Sequence, residues 1–189
     1  MLTVIPASTY RRMPWKNGQG ETTEIAVEPA GGSFLWRLSI ADVARSGPFS
    51  AYPGIERWVT VLSGSGMRLT IGEDAPRLVR ALDPPVRFSG GAVTSCELLA
   101  GAIRDFNLML DHDAAEGQLA VLRGPLSQRL EGETVLLHAV TGSASVSAAS
   151  QTIALPEGDT ARLDGAGGSV TLGAGATAIL AVIARRRPT

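Results

Sequence analysis

Phe34-Leu35-Trp36-Arg37-Leu38-Ser39-Ile40 alternates with a period of two, placing Phe34, Trp36, Leu38 and Ile40 on one face of a strand and Arg37 and Ser39 on the other. Arg104-Asp105-Phe106-Asn107-Leu108-Met109-Leu110 repeats the scheme, with Asp105 and Asn107 projecting together opposite Phe106, Leu108 and Leu110. Outward from these two stretches, apolar runs of about five to eight residues are separated by Gly, Pro, Asp or Ser, the punctuation of an all-β chain with little helix. Met67, Leu69 and Ile71 alternate with Arg68 and Thr70 behind Ser63-Gly64-Ser65-Gly66, so residues 57–63 and 67–71 read as a hairpin.

Residues 111–117 form a polar connector, after which the rhythm of strands and glycine turns starts again. Strands are expected at Thr134–Val140, Ala144–Ala148, Gln151–Leu155, Ala161–Leu163, Ser169–Leu172 and Ala176–Ala184. Leu155-Pro156-Glu157-Gly158-Asp159 resembles the proline-glycine turn between strands of cupin barrels. Two strand-rich halves, 1–112 and 113–189, predict two barrels packed together. A single large sandwich is the competing architecture.

A chain of 189 residues that is 44% hydrophobic, with mean hydropathy +0.14, can bury a core. Its net charge of −1 offers no general attraction to nucleic acid or to an anionic membrane, so anion recognition has to be local. Arg185, Arg186 and Arg187 read as a solvated tail. No signal peptide is visible, and the apolar run Ala174 to Ala184 is shorter than the roughly 20 residues of a spanning helix, so a cytoplasmic protein is expected. Cys96 is the only cysteine and reads as a structural thiol.

Sixteen of the seventeen basic residues are Arg, and the one lysine, Lys16, lies in Met13-Pro14-Trp15-Lys16-Asn17-Gly18-Gln19-Gly20. A flexible ammonium beside an indole, an amide and permissive glycines makes this loop a functional lead, with backbone amides able to face an anion or a neighbouring strand. The loop leads through Thr22 and Thr23 into Glu24-Ile25-Ala26-Val27, which reads as a strand.

Several ordered blocks then support a family resemblance: Arg12 to Gly20, Thr22, Glu24-Ile25-Ala26, Phe34 to Val43, Gly47-Pro48-Phe49-Ser50, Tyr52 to Arg57, Gly64-x-Gly66 and Arg104 to Met109. Over residues 11–110 the chain resembles the HutD family, also called HutD/Ves, while the second half matches only in its general strand pattern. The resemblance implies a compact all-β bicupin, two RmlC-like jelly-roll cupin barrels packed together, associated with bacterial histidine utilisation or, for the Ves branch, environmental stress. Two departures stand out: Gln19 occupies the place of a usual third glycine, and Ala100-Gly101-Ala102 that of a common Asp-Gly-Pro.

Metal-binding cupins use two or three histidines and a carboxylate, but this chain has only His112 and His138, without a His-x-His pair, so neither a metal nor another cofactor is expected. His138, inside Val135 to Val140, reads as a hydrogen-bonded core residue. Ser63 and Ser65 are turn residues without an adjacent histidine, and no catalytic residue is assigned.

What remains suits a small carboxylate metabolite. Arg37 and Arg57 supply donor forks, Lys16 a point charge, Asn17, Ser39, Ser50 and Asn107 neutral partners, and Trp15, Trp36 and Phe49 apolar walls. Asp105 is expected to pair with Arg37 or Arg57 and fix the fork. The same residues would also serve as a structural polar network between barrels. The leading expectation is a sensor or regulator. The rivals are a metal-independent isomerase or hydrolase using Glu24, Asp105 or Lys16, a metal cupin with unconventional ligands, and a protein–protein adaptor. Neither nucleic acid nor a membrane is an expected partner, and a homodimer through strand edges is compatible with the pattern without being required by it.

Overall fold

The computed structural model describes residues 1–15, 18, 20–165 and 167–186. Among these the regular structure is antiparallel β-sheet apart from one short 3₁₀ turn at Ala7–Thr9. The all-β expectation holds. No described helix is long and apolar enough to cross a membrane.

The chain divides into two compact units: Arg11–Ala114, the N-terminal barrel, and Met1–Tyr10 with Ala115–Thr189, the C-terminal barrel. The expected division at 112/113 lies two residues from the observed junction, but the first ten residues belong elsewhere. Strand β1 (Leu2–Ile5) pairs far along the chain, with Leu2 opposite Leu163 and Ile5 opposite Thr160. The Tyr10 hydroxyl then donates to the Gly158 carbonyl at 2.8 Å. Four short residues at the start of a sequence carry no local sign of which sheet will accept their edge.

The N-terminal barrel opposes two sheets. β2 (Arg11–Pro14), β3 (Gly20–Glu28), β4 (Trp36–Val43), β6 (Ile55–Ser63), β9 (Val86–Ser89) and β11 (Ile103–Asp111) form the larger one, in the order β2-β3-β4-β11-β6-β9. β5 (Gly47–Pro48), β7 (Met67–Ile71), β8 (Arg77–Val79) and β10 (Thr94–Leu98) form the smaller, in the order β5-β10-β7-β8. Ala41, Val43, Val61 and Ile103 from the first meet Met67, Leu69 and Cys96 from the second in one core. Burial raises the pKa of the enclosed Cys96 thiol, in keeping with an inert structural role.

The expected hairpin of 57–63 and 67–71 is corrected, because β6 and β7 lie in different sheets. Gly64 (φ +97) and Gly66 (φ +104) carry the chain around the corner, and a Cβ on them would lie 2.7 Å from the Ala102 oxygen and 2.6 Å from the Val79 oxygen, respectively. Glycine is needed at both positions, to turn from one sheet into the other.

The C-terminal barrel pairs β1-β17-β14-β19-β12 against β13-β18-β15-β16, where β12 is Ala115–Arg123, β13 Leu126–Leu130, β14 Thr134–Thr141, β15 Ala144–Ala148, β16 Gln151–Leu155, β17 Thr160–Asp164, β18 Gly168–Leu172 and β19 Thr177–Arg185. The six strands expected from residue 134 onward are all present. The connector read at 111–117 is shorter than expected, since Ala115 to Gly117 already belong to β12.

Candidate functional site

Strand register turns the alternation seen in the sequence into a grid on the inner face of the larger N-terminal sheet. Across β2, β3, β4, β11 and β6, one row runs Arg11, Glu24, Ser39, Asn107, Val59. The next runs Val27, Arg37, Met109, Arg57 and on to Phe88 of β9. On the other side of the first row lie Thr22, Ala41, Asp105 and Val61. Directly paired residues share a face, with neighbouring strands about 4.8 Å apart, so Arg37, Ser39, Arg57, Asp105 and Asn107 converge. Ala41, Val59, Val61 and Phe88 of this grid belong to the core, and the polar members lie beside them, Asp105 between Ala41 and Val61.

Arg57 is the centre of this cluster. It is 7% exposed, and its guanidinium carbon lies 5.0 Å from the Phe49 ring centroid, 5.2 Å from Phe88 and 5.8 Å from Tyr52. Nη2 donates to Asn107 Oδ1 at 2.8 Å, and Nη1 to the Ser50 carbonyl at 3.4 Å. Asn107 Nδ2 in turn donates to Asp105 Oδ1. Asp105 is therefore tied to Arg57 through an amide, where a direct pair was expected. Burial, above all, pushes the Asp105 carboxyl up to about 7 against the opposing pull of Arg57 and the Asn107 hydrogen bond. Burial also lowers the Arg57 pKa, an effect countered by Asp105 and reinforced by the positive charge of Arg37. The two guanidiniums thus feel one another.

Arg37 finds its carboxylate in Glu24, a residue whose place in the sequence suggests only a candidate acid or base. Arg37 Nε and Glu24 Oε2 are 3.0 Å apart, and Glu24 Oε1 lies 3.3 Å from Arg11 Nη2. Although the first pair is close, Arg37 Nε has no hydrogen-bond partner, so the contact is ionic and off the bonding direction. Arg57 Nε is also buried without a partner. Leaving a buried donor unsatisfied costs about 1–3 kcal/mol, and both of these donors lie on the inner face of the same sheet.

The remaining candidates divide. Trp15 is half-buried against the core, with Nε1 donating to Thr22 Oγ1 at 2.8 Å. Its ring covers Gly20, where a Cβ would run into the Asp42 carbonyl and lie 2.9 Å from the indole. Ser39 is buried on the inner face. Ser50 is exposed and offers Arg57 its carbonyl, while its hydroxyl plays no part in that contact. Trp36 does not join the site: period-two alternation directs it, with Leu38, to the face opposite Arg37, where it is buried. Lys16, Asn17 and Gln19 lie outside the described residues. Tyr52 and Phe88 were missed as site residues, since nothing local reveals a ring that meets Arg57 across a loop or from another strand.

Among the described residues no cluster of three or more His, Cys, Asp or Glu side chains is arranged to hold a metal ion. His138 is 3% exposed, with Nδ1 3.0 Å from Thr160 Oγ1, as expected of a hydrogen-bonded core residue. His112 is exposed and belongs to the other unit.

A family model described as HutD matches residues 7–181. The chain belongs to the HutD family. It is 42% identical over 154 residues, 80% of each chain, to an uncharacterised 21.2 kDa protein of the hutC 3' region of Pseudomonas putida. It is also similar to a crystal structure of a conserved protein of unknown function from Pseudomonas aeruginosa PAO1 (36% identity, TM-score 0.89, 97% of this chain and 98% of that one). HutD from Pseudomonas fluorescens SBW25 gives 35% identity and TM-score 0.86 over 99% of this chain and 100% of that one. At 9% identity, Escherichia coli YlbA (TM-score 0.73, covering 100% and 93%) and Bacillus subtilis oxalate decarboxylase OxdC (0.67, covering 97% and 76%) share the fold alone, which is the cupin fold. This HutD-family chain is therefore a bicupin, as the family resemblance implies.

Proposed function

We propose that this HutD-family protein binds a small carboxylate-bearing metabolite in the N-terminal barrel and acts in the cytoplasm as a sensor or regulator linked to histidine utilisation. The observation that carries this reading is the pair of buried guanidinium Nε groups, on Arg37 and Arg57, that lack hydrogen-bond partners on the inner face of one sheet. A carboxylate presents two acceptor oxygens that match a guanidinium edge, and such charge-assisted pairs strengthen where water is excluded. The charge balance agrees: among the described residues, Arg11 and Arg37 share the Glu24 carboxylate, and Arg57 is tied through Asn107 to the Asp105 carboxyl, which burial pushes up to about 7. The pathway comes from the family, whose P. fluorescens member has been solved in a "formate condition", formate being the smallest carboxylate. A regulatory role needs no chemistry from the site, only differential binding.

A thermal-shift panel of histidine, urocanate, formiminoglutamate, formylglutamate and glutamate tests the reading. An acid at 100 times its dissociation constant adds about 2.7 kcal/mol, and the absence of a shift with every acid would sink it. One observation favours the enzyme alternative: a buried carboxyl poised near neutral pH is suited to proton transfer. Turnover of any panel acid that disappears in Asp105→Asn would decide for catalysis over sensing.

A further inference from the structure

Glu24 occupies a peculiar position. It sits where the β3–β4 register shifts, between Glu24 and Ala26, and such a bulge re-aims a side chain. Its carboxylate is shared between two guanidiniums of unlike exposure, with side chains 14% exposed for Arg37 and 69% for Arg11. The contact with the buried partner is the defective one, 3.0 Å long yet without a hydrogen bond to Nε. From these facts we infer that Glu24 is an internal competitor for Arg37, and that an incoming carboxylate displaces it toward Arg11.

The exchange conserves charge at both ends. A ligand carboxylate replaces Glu24 on Arg37, so the buried guanidinium is never left unpaired, a loss that would be severe. Glu24 retains Arg11, already 3.3 Å away on the adjacent edge strand. A free acid can approach the Arg37 fork along its bonding directions, whereas Glu24, fixed to its strand, reaches it off-axis. Every ligand therefore has to outcompete a tethered carboxylate, and only acids with further contacts to the site do so efficiently. Glu24 becomes a specificity-determining residue that suppresses binding of simple acids.

The inference rests on the carboxylate reading, and the experiment separates the two. Acetate, as the minimal probe, is titrated calorimetrically into wild type, Glu24→Gln and Glu24→Gln/Arg37→Gln, with far-UV circular dichroism confirming the fold. Glu24→Gln is expected to bind acetate at least about tenfold more tightly, since removing a competitor worth about 1.4 kcal/mol gives that factor, and the added Arg37→Gln should abolish the gain. If Glu24→Gln misfolds, Glu24→Asp, shorter by one methylene, should loosen the grip on Arg37 and show a smaller gain in the same direction. Acetate binding by wild type that is unchanged or weaker in the Glu24 variant would overturn the competitor role and leave the carboxylate reading intact. Failure of both wild type and variant to bind acetate or any panel acid would overturn both.

Discussion

The two barrels share an architecture and differ in what they enclose. In the C-terminal barrel the inner positions of β14, β17 and β19 are Val135, Leu137, Ala139, Leu163 and Leu180, all in one apolar core. Its buried His138 and Thr160 lie on the alternate positions, hydrogen-bonded to each other on the opposite face of the sheet from that apolar cluster. In the N-terminal barrel the equivalent face carries Arg37, Ser39, Arg57, Asp105 and Asn107. The same alternation thus yields an apolar interior in one half and a charged inner face in the other. Buried ionic groups rarely add net stability over apolar packing, and the proposed binding of an acid would give this polar face a use beyond the fold.

The sharpest way to break this contrast is to give the C-terminal barrel a charge. Leu137→Asp should destabilise the protein by about 4 kcal/mol or more, because no partner awaits a carboxylate there. Urea denaturation measures it, and a loss below about 1 kcal/mol would mean that the second interior is not dry.

Removing the central cation of the other barrel should cost less. Arg57→Ala leaves Asn107 Oδ1 without its donor and a hollow among Phe49, Tyr52 and Phe88, for about 3 kcal/mol. It should also erase any acid-induced thermal shift. A retained shift would move the site away from Arg57.

Asp105 distinguishes the barrels by pH. Its carboxyl has an ordinary pKa in the unfolded chain and one near 7 in the fold, so the folded state holds the proton more tightly. That contribution is complete below about pH 4 and is lost as pH rises through 7. Asp105→Asn should flatten the stability profile over this range and exceed wild type at pH 8 by on the order of 1–3 kcal/mol. Parallel profiles from denaturation at pH 5 and 8 would show a carboxyl already ionised in the fold.

The smallest effect concerns the attachment of the first ten residues. Tyr10→Phe deletes hydroxyl contacts to the Gly158 oxygen and to Thr160 Oγ1, the latter 2.7 Å away, and should cost about 1 kcal/mol, or roughly 2–4 °C in Tm. Burial first, then the Asp159 charge, holds the Tyr10 phenol up near 12, with the Thr160 bond pulling the other way. Its ultraviolet titration in the folded protein should therefore fall well above that of a free tyrosine.

The sequence by itself determined which side chains share a face, because alternation with period two is written residue by residue: Arg37 with Ser39, Asp105 with Asn107, and Trp36 turned away from them. It also determined the family, through ordered motifs between residues 11 and 110. Only the tertiary structure decided which strands are neighbours, since sheet pairing joins segments distant along the chain and leaves little local trace. It placed β1 beside β17, made Gly64 and Gly66 a corner between sheets, set Glu24 against Arg37, and closed Tyr52 and Phe88 over Arg57. Local periodicity fixes the direction of a side chain, while its partner is fixed by register, which depends on how the whole sheet assembles.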